Sequence, residues 1–143
     1  MSNASAYAEL ANIREKLGTL ASDRVRVQLH QRLADETILL IQRGFPRGQS
    51  PYGIPWKPNK TRTAILLKTW KLYKSFRRRL TVKGFSVTTN VRYANAQNYG
   101  RPEINLPARP FMPEPRNSPV LPPAWRRVWD QAAEEVVHPY ITT

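Results

Sequence analysis

Apolar residues recur along the first third of the chain at three- and four-residue steps. Leu10, Ile13, Leu17 and Leu20 make one run, and Val25, Leu29, Leu33, Leu40 and Ile41 make a second. Such spacing places side chains on one face of an α-helix. The pattern predicts helix over residues 5–43 in two pieces. Gly18 and the stretch Ala21-Ser22-Asp23 mark the break, with Ser22 or Asp23 capping the second piece. Gly44 is placed to end it. Residues 44–64 then read as loop, because four prolines and two glycines crowd Phe45 to Thr61 around Tyr52 and Trp56. The spacing of Gly48 and Gly53 has the outline of a phosphate-binding loop. Ile54 and Pro55 stand where that chemistry needs Lys followed by Ser or Thr, which excludes it.

From Leu72 to Val91 the period changes to two. Residues 65–100 are expected to hold a β-hairpin and sheet, with Lys83-Gly84 as a two-residue turn. Pairing Val82 with Phe85 sets Leu80 opposite Val87 and Phe76 opposite Val91, six apolar residues on one face. Arg77 and Arg79 turn to the other face, opposite Asn90 and Thr88. Arg78 falls on the apolar side opposite Thr89. A further strand is expected near Arg92 to Tyr99. Residues 101–121 form a proline-rich arm: eight prolines between Pro102 and Pro123 rule out a helix or an inner strand. A last helix over 122–138 carries Leu121, Trp125, Val128, Trp129, Ala132 and Val136 as its apolar stripe, and Pro139 ends it. The expected fold is a single α+β domain. A long N-terminal helical region and a C-terminal helix pack on a small, largely antiparallel sheet built around the hairpin.

Charge adds a second layer. The 143 residues carry 23 basic and 10 acidic side chains, a net charge of +13. Between Thr37 and Pro102 there are 14 Lys or Arg and no acid. The acids sit in the flanking segments, among them Glu9, Glu15, Asp130, Glu134 and Glu135. A basic middle suits nucleic acid, or equally the acidic ends of neighbouring copies. The chain has no cysteine, which excludes disulfides and thiolate metal sites and suits a reducing cytoplasm. No run of 18 apolar residues predicts a membrane span, and the first residues lack the pattern of a signal peptide.

The sequence offers no chemical constellation. His30 and His138 are far apart and neither sits in a ligand pattern. Asp35-Glu36 and Glu134-Glu135 are adjacent pairs that diverge by about 100° on a helix, unlike a working carboxylate dyad. No enzyme activity, cofactor or metal is expected.

Three segments in order resemble the phage virion-morphogenesis, or tail-completion, family of contractile-tailed phages. Ser50-Pro51-Tyr52-Gly53-Ile54-Pro55-Trp56 is similar to that family's Pro/Gly/Trp loop after a long helix. Ile65-Leu66-Leu67-Lys68-Thr69, then Leu72 and Ser75, is similar to its lead into the hairpin. Tyr93-Ala94 through Asn98-Tyr99-Gly100, followed by Leu106-Pro107-Ala108-Arg109-Pro110-Phe111, resembles its most specific pattern. Together they span about Leu39 to Met112. Trp70 departs from the family's usual Gly, and Gln97-Asn98 from its His-Gln.

The resemblance implies a structural protein of the virion neck, assembled in the host cytoplasm. It would complete the head-proximal end of the tail as a ring, typically of six copies. Its partners would be further copies of itself, tail tube and sheath proteins, head connector proteins, and DNA passing through the channel without sequence specificity. Candidate subunit or partner contacts are Trp56, Lys57, Arg77, Arg79, Arg109 and Phe111. All but Lys57 have a plainer reading beside them. Trp56 and the Leu106–Phe111 segment can be internal anchors, with Phe111 in the core and Arg109 bonded to carbonyls. Arg77 to Arg79 can be a solvated strand face. The alternative function is a small basic DNA-binding protein that presents the hairpin to a groove.

Overall fold

The computed structural model describes residues 3–20, 22–58, 70–113 and 121–141. Two helices open the chain, α1 over Asn3–Leu20 and α2 over Asp23–Arg47. Ser22 caps α2 as expected, with extended backbone and its hydroxyl accepting from the Val25 N–H at 3.4 Å. The helix does not stop at Gly44. It runs through Pro46 and ends at Gly48, whose φ of 62° is left-handed. The N–H of Gly48 returns to the Phe45 carbonyl and that of Gln49 to the Gly44 carbonyl, a Schellman pair that satisfies the last carbonyls. Gly44 serves that closure by its size. A Cβ there would lie 2.9 Å from the Gln49 carbonyl oxygen.

The hairpin pairs β1, Arg77–Thr81, with β2, Gly84–Thr88, antiparallel. Its turn is Val82-Lys83 rather than Lys83-Gly84. Leu80 therefore faces Phe85, and Arg78 faces Val87. The Thr81 hydroxyl fixes this turn, accepting from the Gly84 N–H at 3.1 Å and donating to the Gly84 carbonyl at 3.2 Å. The shift is two residues, so each side chain keeps the face that alternation gave it. Val82 is the exception. Expected in the core, it sits at the turn with 41% of its surface exposed. Phe76 and Val91 are buried just outside the strand ends. The expected strand at 92–99 is instead a short helix, α3, over Ala94–Tyr99. Its Ala94, Ala96 and Gln97 favour helix over strand. In the proline-rich arm a 3-10 turn covers Pro102–Ile104 and the chain then continues without regular secondary structure to residue 113. Residues 59–69 and 114–120, which include the Ile65–Thr69 motif and part of the arm, lie outside the described residues.

The last helix, α4, spans Pro123–Ile141 and continues past Pro139. So near the C-terminus a proline removes only one hydrogen bond, and the Tyr140 hydroxyl, 2.7 Å from Gln28 Oε1, ties the end to α2. The two helices run antiparallel. Arg32 pairs with Glu135 at 2.6 Å, and the Trp129 indole donates to the Thr37 hydroxyl at 3.0 Å. Arg32, then Gln131, hold the Glu135 carboxyl below its ordinary pKa. This tie is made above the ordinary carboxylate range and lost on acidification through the lowered value.

α2 is the centre of the domain, with α4 on one side and the hairpin on another. The result is the expected α+β fold, with N- and C-terminal helices packed on a small antiparallel sheet. Arg78, on the helix-facing side, reaches Asp35 of α2 at 2.7 Å. His30 Nδ1 lies 2.9 Å from the Thr81 carbonyl oxygen. Phe45, 1% exposed, sits at the middle of the core. Phe45→Ala is expected to cost about 3–5 kcal/mol. Val82→Glu should stay within about 0.5 kcal/mol of the parent, as an exposed turn position does. Paired thermal melts check this, and a Val82→Glu loss as large as that of Phe45→Ala would contradict the turn assignment.

Candidate functional site

Two of the segments singled out in the sequence, residues 50–56 and 93–111, meet in one place. The first is the loop after α2. Ser50 is buried, and its hydroxyl accepts from the Tyr52 and Ile54 N–H groups, both at 3.2 Å. Gly53 takes a φ of 82° in the turn this creates, a conformation that favours glycine. The Trp56 N–H bonds back to the Gly48 carbonyl at 2.8 Å. Trp56 is thereby aimed inward, 6% exposed, with its indole donating to the Pro110 carbonyl at 2.7 Å.

The second is the junction of α3 with the arm. Asn98, 6% exposed, accepts through Oδ1 from the Phe111 N–H at 3.0 Å and the Met112 N–H at 3.2 Å. The Arg109 N–H donates to the Gln97 carbonyl at 2.7 Å. Arg101 and Leu106 exchange backbone bonds at 2.9 and 3.0 Å around the left-handed Asn105. Gly100 makes the close approach possible. Its φ is 76°, and a Cβ would lie 2.8 Å from the Ala108 nitrogen.

The Arg109 guanidinium crosses from arm to loop, its Nε donating to the Lys57 carbonyl at 3.0 Å. Phe111 enters the core against Phe45 and Phe76, with ring centroids 5.7 Å away in both cases. Loop, α3 and arm are thus one clamp closed on an aromatic cluster. Trp56, Arg109 and Phe111 are internal anchors here, because their side chains are consumed within the subunit. Lys57 contributes its carbonyl to the clamp and leaves its side chain exposed. Trp70 takes a left-handed φ of 57° and stacks edge-on against Tyr73 at 5.1 Å. Glycine is the residue for which that φ is least costly.

The hairpin's outer face is a different kind of surface. Arg77 and Arg79 are exposed there, opposite Thr88 and Ser86. Arg77 also donates to the Lys74 and Phe76 carbonyls at 3.1 and 3.2 Å. Arg79 projects outward with no hydrogen-bonded or ionic partner among the described residues. Of the six candidates, Trp56, Lys57, Arg109 and Phe111 are brought together, and Arg77 and Arg79 stand apart from them on the far side of the strand. Two participants were not legible as such. Asn98 stood out only as a departure from a motif, and Ser50 as the first letter of another. A buried carboxamide at a helix end beside a proline-rich segment is the signal that marks Asn98.

Among the described residues no three His, Cys, Asp or Glu side chains gather where a metal could sit, and no helix is long and apolar enough to cross a membrane. Compared with protein-family profiles, with characterised proteins and with solved structures, the chain gives no match.

The clamp has a direct test. Asn98→Ala strands one buried and one part-buried backbone donor, and the buried one alone costs about 1–3 kcal/mol. Gly100→Ala forces a strained φ and should cost more than about 1 kcal/mol. Arg77→Glu combined with Arg79→Glu should change stability by less than about 1 kcal/mol. Denaturant titrations of the three variants check the order. If the arginine pair is the most destabilising, the division into clamp and outer face is wrong.

Proposed function

We propose that the chain is a structural subunit of a phage neck. It completes the head-proximal end of the tail by stopping tube growth and joining the tube to the head connector, as a ring of six copies. It acts by contact alone, with DNA passing through the ring. The observation that carries this reading is the clamp. Two of the three segments that resemble the tail-completion family, together with Leu72 and Ser75 from the third, belong to one tightly bonded unit. They are therefore a coherent part of the architecture. Trp56 bonds to Pro110, Arg109 to Lys57, and Asn98 to Phe111 and Met112. Leu72 is buried in the same core, and the Ser75 hydroxyl donates to its carbonyl at 2.6 Å.

The contacts to neighbours then fall on what the clamp leaves outside, above all Arg77 and Arg79. Arginine suits desolvated pairing with carboxylates, and exposed acids such as Asp130 and Glu134 lie on a different element, α4. A second reading keeps the same arginines for DNA. They share an outward strand face with Ser86 and Thr88 hydroxyls, groups that commonly contact phosphates. Salt separates the two readings, since phosphate-driven binding weakens steeply with ionic strength.

Deleting the gene should leave filled heads and tails that fail to join, or tails of irregular length, in electron micrographs of lysates. Complementation with the Arg77→Glu, Arg79→Glu variant should fail although the protein folds, because breaking buried interfacial pairs costs roughly 2–5 kcal/mol. Normal infectious particles from the deletion would end the neck reading. Normal assembly by the double variant would return Arg77 and Arg79 to solvent.

A further inference from the structure

Two surfaces at opposite ends of the subunit lack a partner, and their chemistries match. The first is α1. Leu10, Ile13 and Leu17 are 53%, 53% and 59% exposed. Their spacing puts them on one stripe of the helix. Helical geometry places Glu9 along one border of that stripe and Arg14 along the other. Three large aliphatics on one exposed stripe are the mark of a contact surface.

The second is a cleft of about 390 Å³ between the C-terminal end of α2, the loop that follows it and the N-terminal end of α4. Buried Ile41, Phe111 and Trp125 lie under its floor, and the part-exposed Leu40, Pro51 and Val128 give that floor an apolar surface. Arg43, Arg47 and Arg127 also line it, and no acidic residue does. None of these three arginines has an ion-pair or hydrogen-bond partner among the described residues, whereas Arg32, Arg78 and Arg101 are each paired. Three unpaired like charges in one concavity favour an incoming carboxylate. The apolar floor favours an occupant that also brings aliphatic side chains, which a phosphate backbone does not.

We infer that α1 of one copy docks in the arginine-lined cleft of the next. Leu10, Ile13 and Leu17 meet the apolar floor. Glu9 meets Arg43 and Arg47 on the α2 wall, and Arg14 lies along α4, where Asp130 is exposed one turn beyond Arg127 and pairs only loosely with Arg126, at 4.0 Å. α1 joins the N-terminal end of α2 and the cleft lies at its C-terminal end, and α2 is 25 residues long, roughly 38 Å at ~1.5 Å per residue. A contact between unlike patches is heterologous: it repeats from copy to copy, and closes into a ring when the rotation between copies closes. The inference rests on the ring reading and supplies its joint.

Because the chain has no cysteine, the joint can be tested by thiol cross-linking of the purified full chain. Ile13 and Ala124 are both exposed, one on the α1 stripe and one at the cleft. The variant with Ile13→Cys and Ala124→Cys, treated with a short bis-maleimide, should give a ladder of covalent oligomers. Neither single variant should cross-link. Leu10→Glu with Leu17→Glu, and separately Arg43→Glu with Arg47→Glu, should abolish the ladder when added to the double-cysteine chain, with the melting midpoint unchanged.

Covalent dimers from Ile13→Cys alone would mean α1 pairs with its own kind, which overturns the inference. So would a ring in the native mass spectrum of the parent with no ladder from the double-cysteine chain, a result that leaves the ring reading standing. A ladder without a closed species keeps the docking and contradicts the ring. A chain that is monomeric and uncross-linked at every concentration overturns both.

Discussion

The ring of Phe45 is the point on which the rest of the domain bears. It contacts four other aromatic rings, those of Trp56, Tyr73, Phe76 and Phe111, at centroid distances of 5.6, 5.9, 6.1 and 5.7 Å. Each ring comes from a different stretch of chain: the loop after α2, the turn before β1, the residue leading into β1 and the arm. Most of the contacts are edge-to-face, the arrangement the ring quadrupoles prefer. One side chain at the end of a long helix thus gathers segments with little secondary structure of their own. A two-stranded hairpin is at best marginal alone, and a proline-rich arm cannot pair its own backbone. Both become ordered by what they insert against Phe45.

That arrangement separates the molecule into an inside that is polar where it must be and an outside that is basic. The backbone of the loop and arm lacks a sheet to pair with. Its donors and acceptors are met by Ser50, Trp56, Asn98 and Arg109. These four polar side chains are committed within the subunit. The proposed work of the protein falls on Arg77, Arg79, α1 and the cleft at the far end of α2, surfaces the clamp and core leave unused. A protein that acts by contact needs such a division, with a rigid interior to hold its outer faces at fixed positions.

Much of this was legible in the chain. The two helical pieces, the Ser22 cap, the alternating faces of the hairpin and the stripe of α4 follow from periodicity and capping chemistry, which act locally. Sequence reading went astray where tertiary contacts decide. Gly44 has the composition of a helix stop, yet the helix continues until Gly48 can take the left-handed φ and bond back to Gly44 and Phe45. Lys83-Gly84 is a good turn pair, but the Thr81 hydroxyl and the contact of Phe85 with Trp129, 5.6 Å between centroids, favour Val82-Lys83. Pro139 would end a free helix, while here Tyr140 anchors the turn beyond it. Arg78 looked misplaced on an apolar face. Its partner, Asp35, lies 43 residues away, and no local pattern could announce it.

We propose that this chain works as a ring at the end of a phage tail. Electron cryomicroscopy of the virion neck tests it most directly. The expected result is a ring of six copies at the head-proximal end of the tail tube, with Phe45 and its clamp inside each subunit and the hairpin's outer face against a neighbour. A neck reconstructed without this fold, or with a single copy of it at that level, would contradict a ring role for this chain.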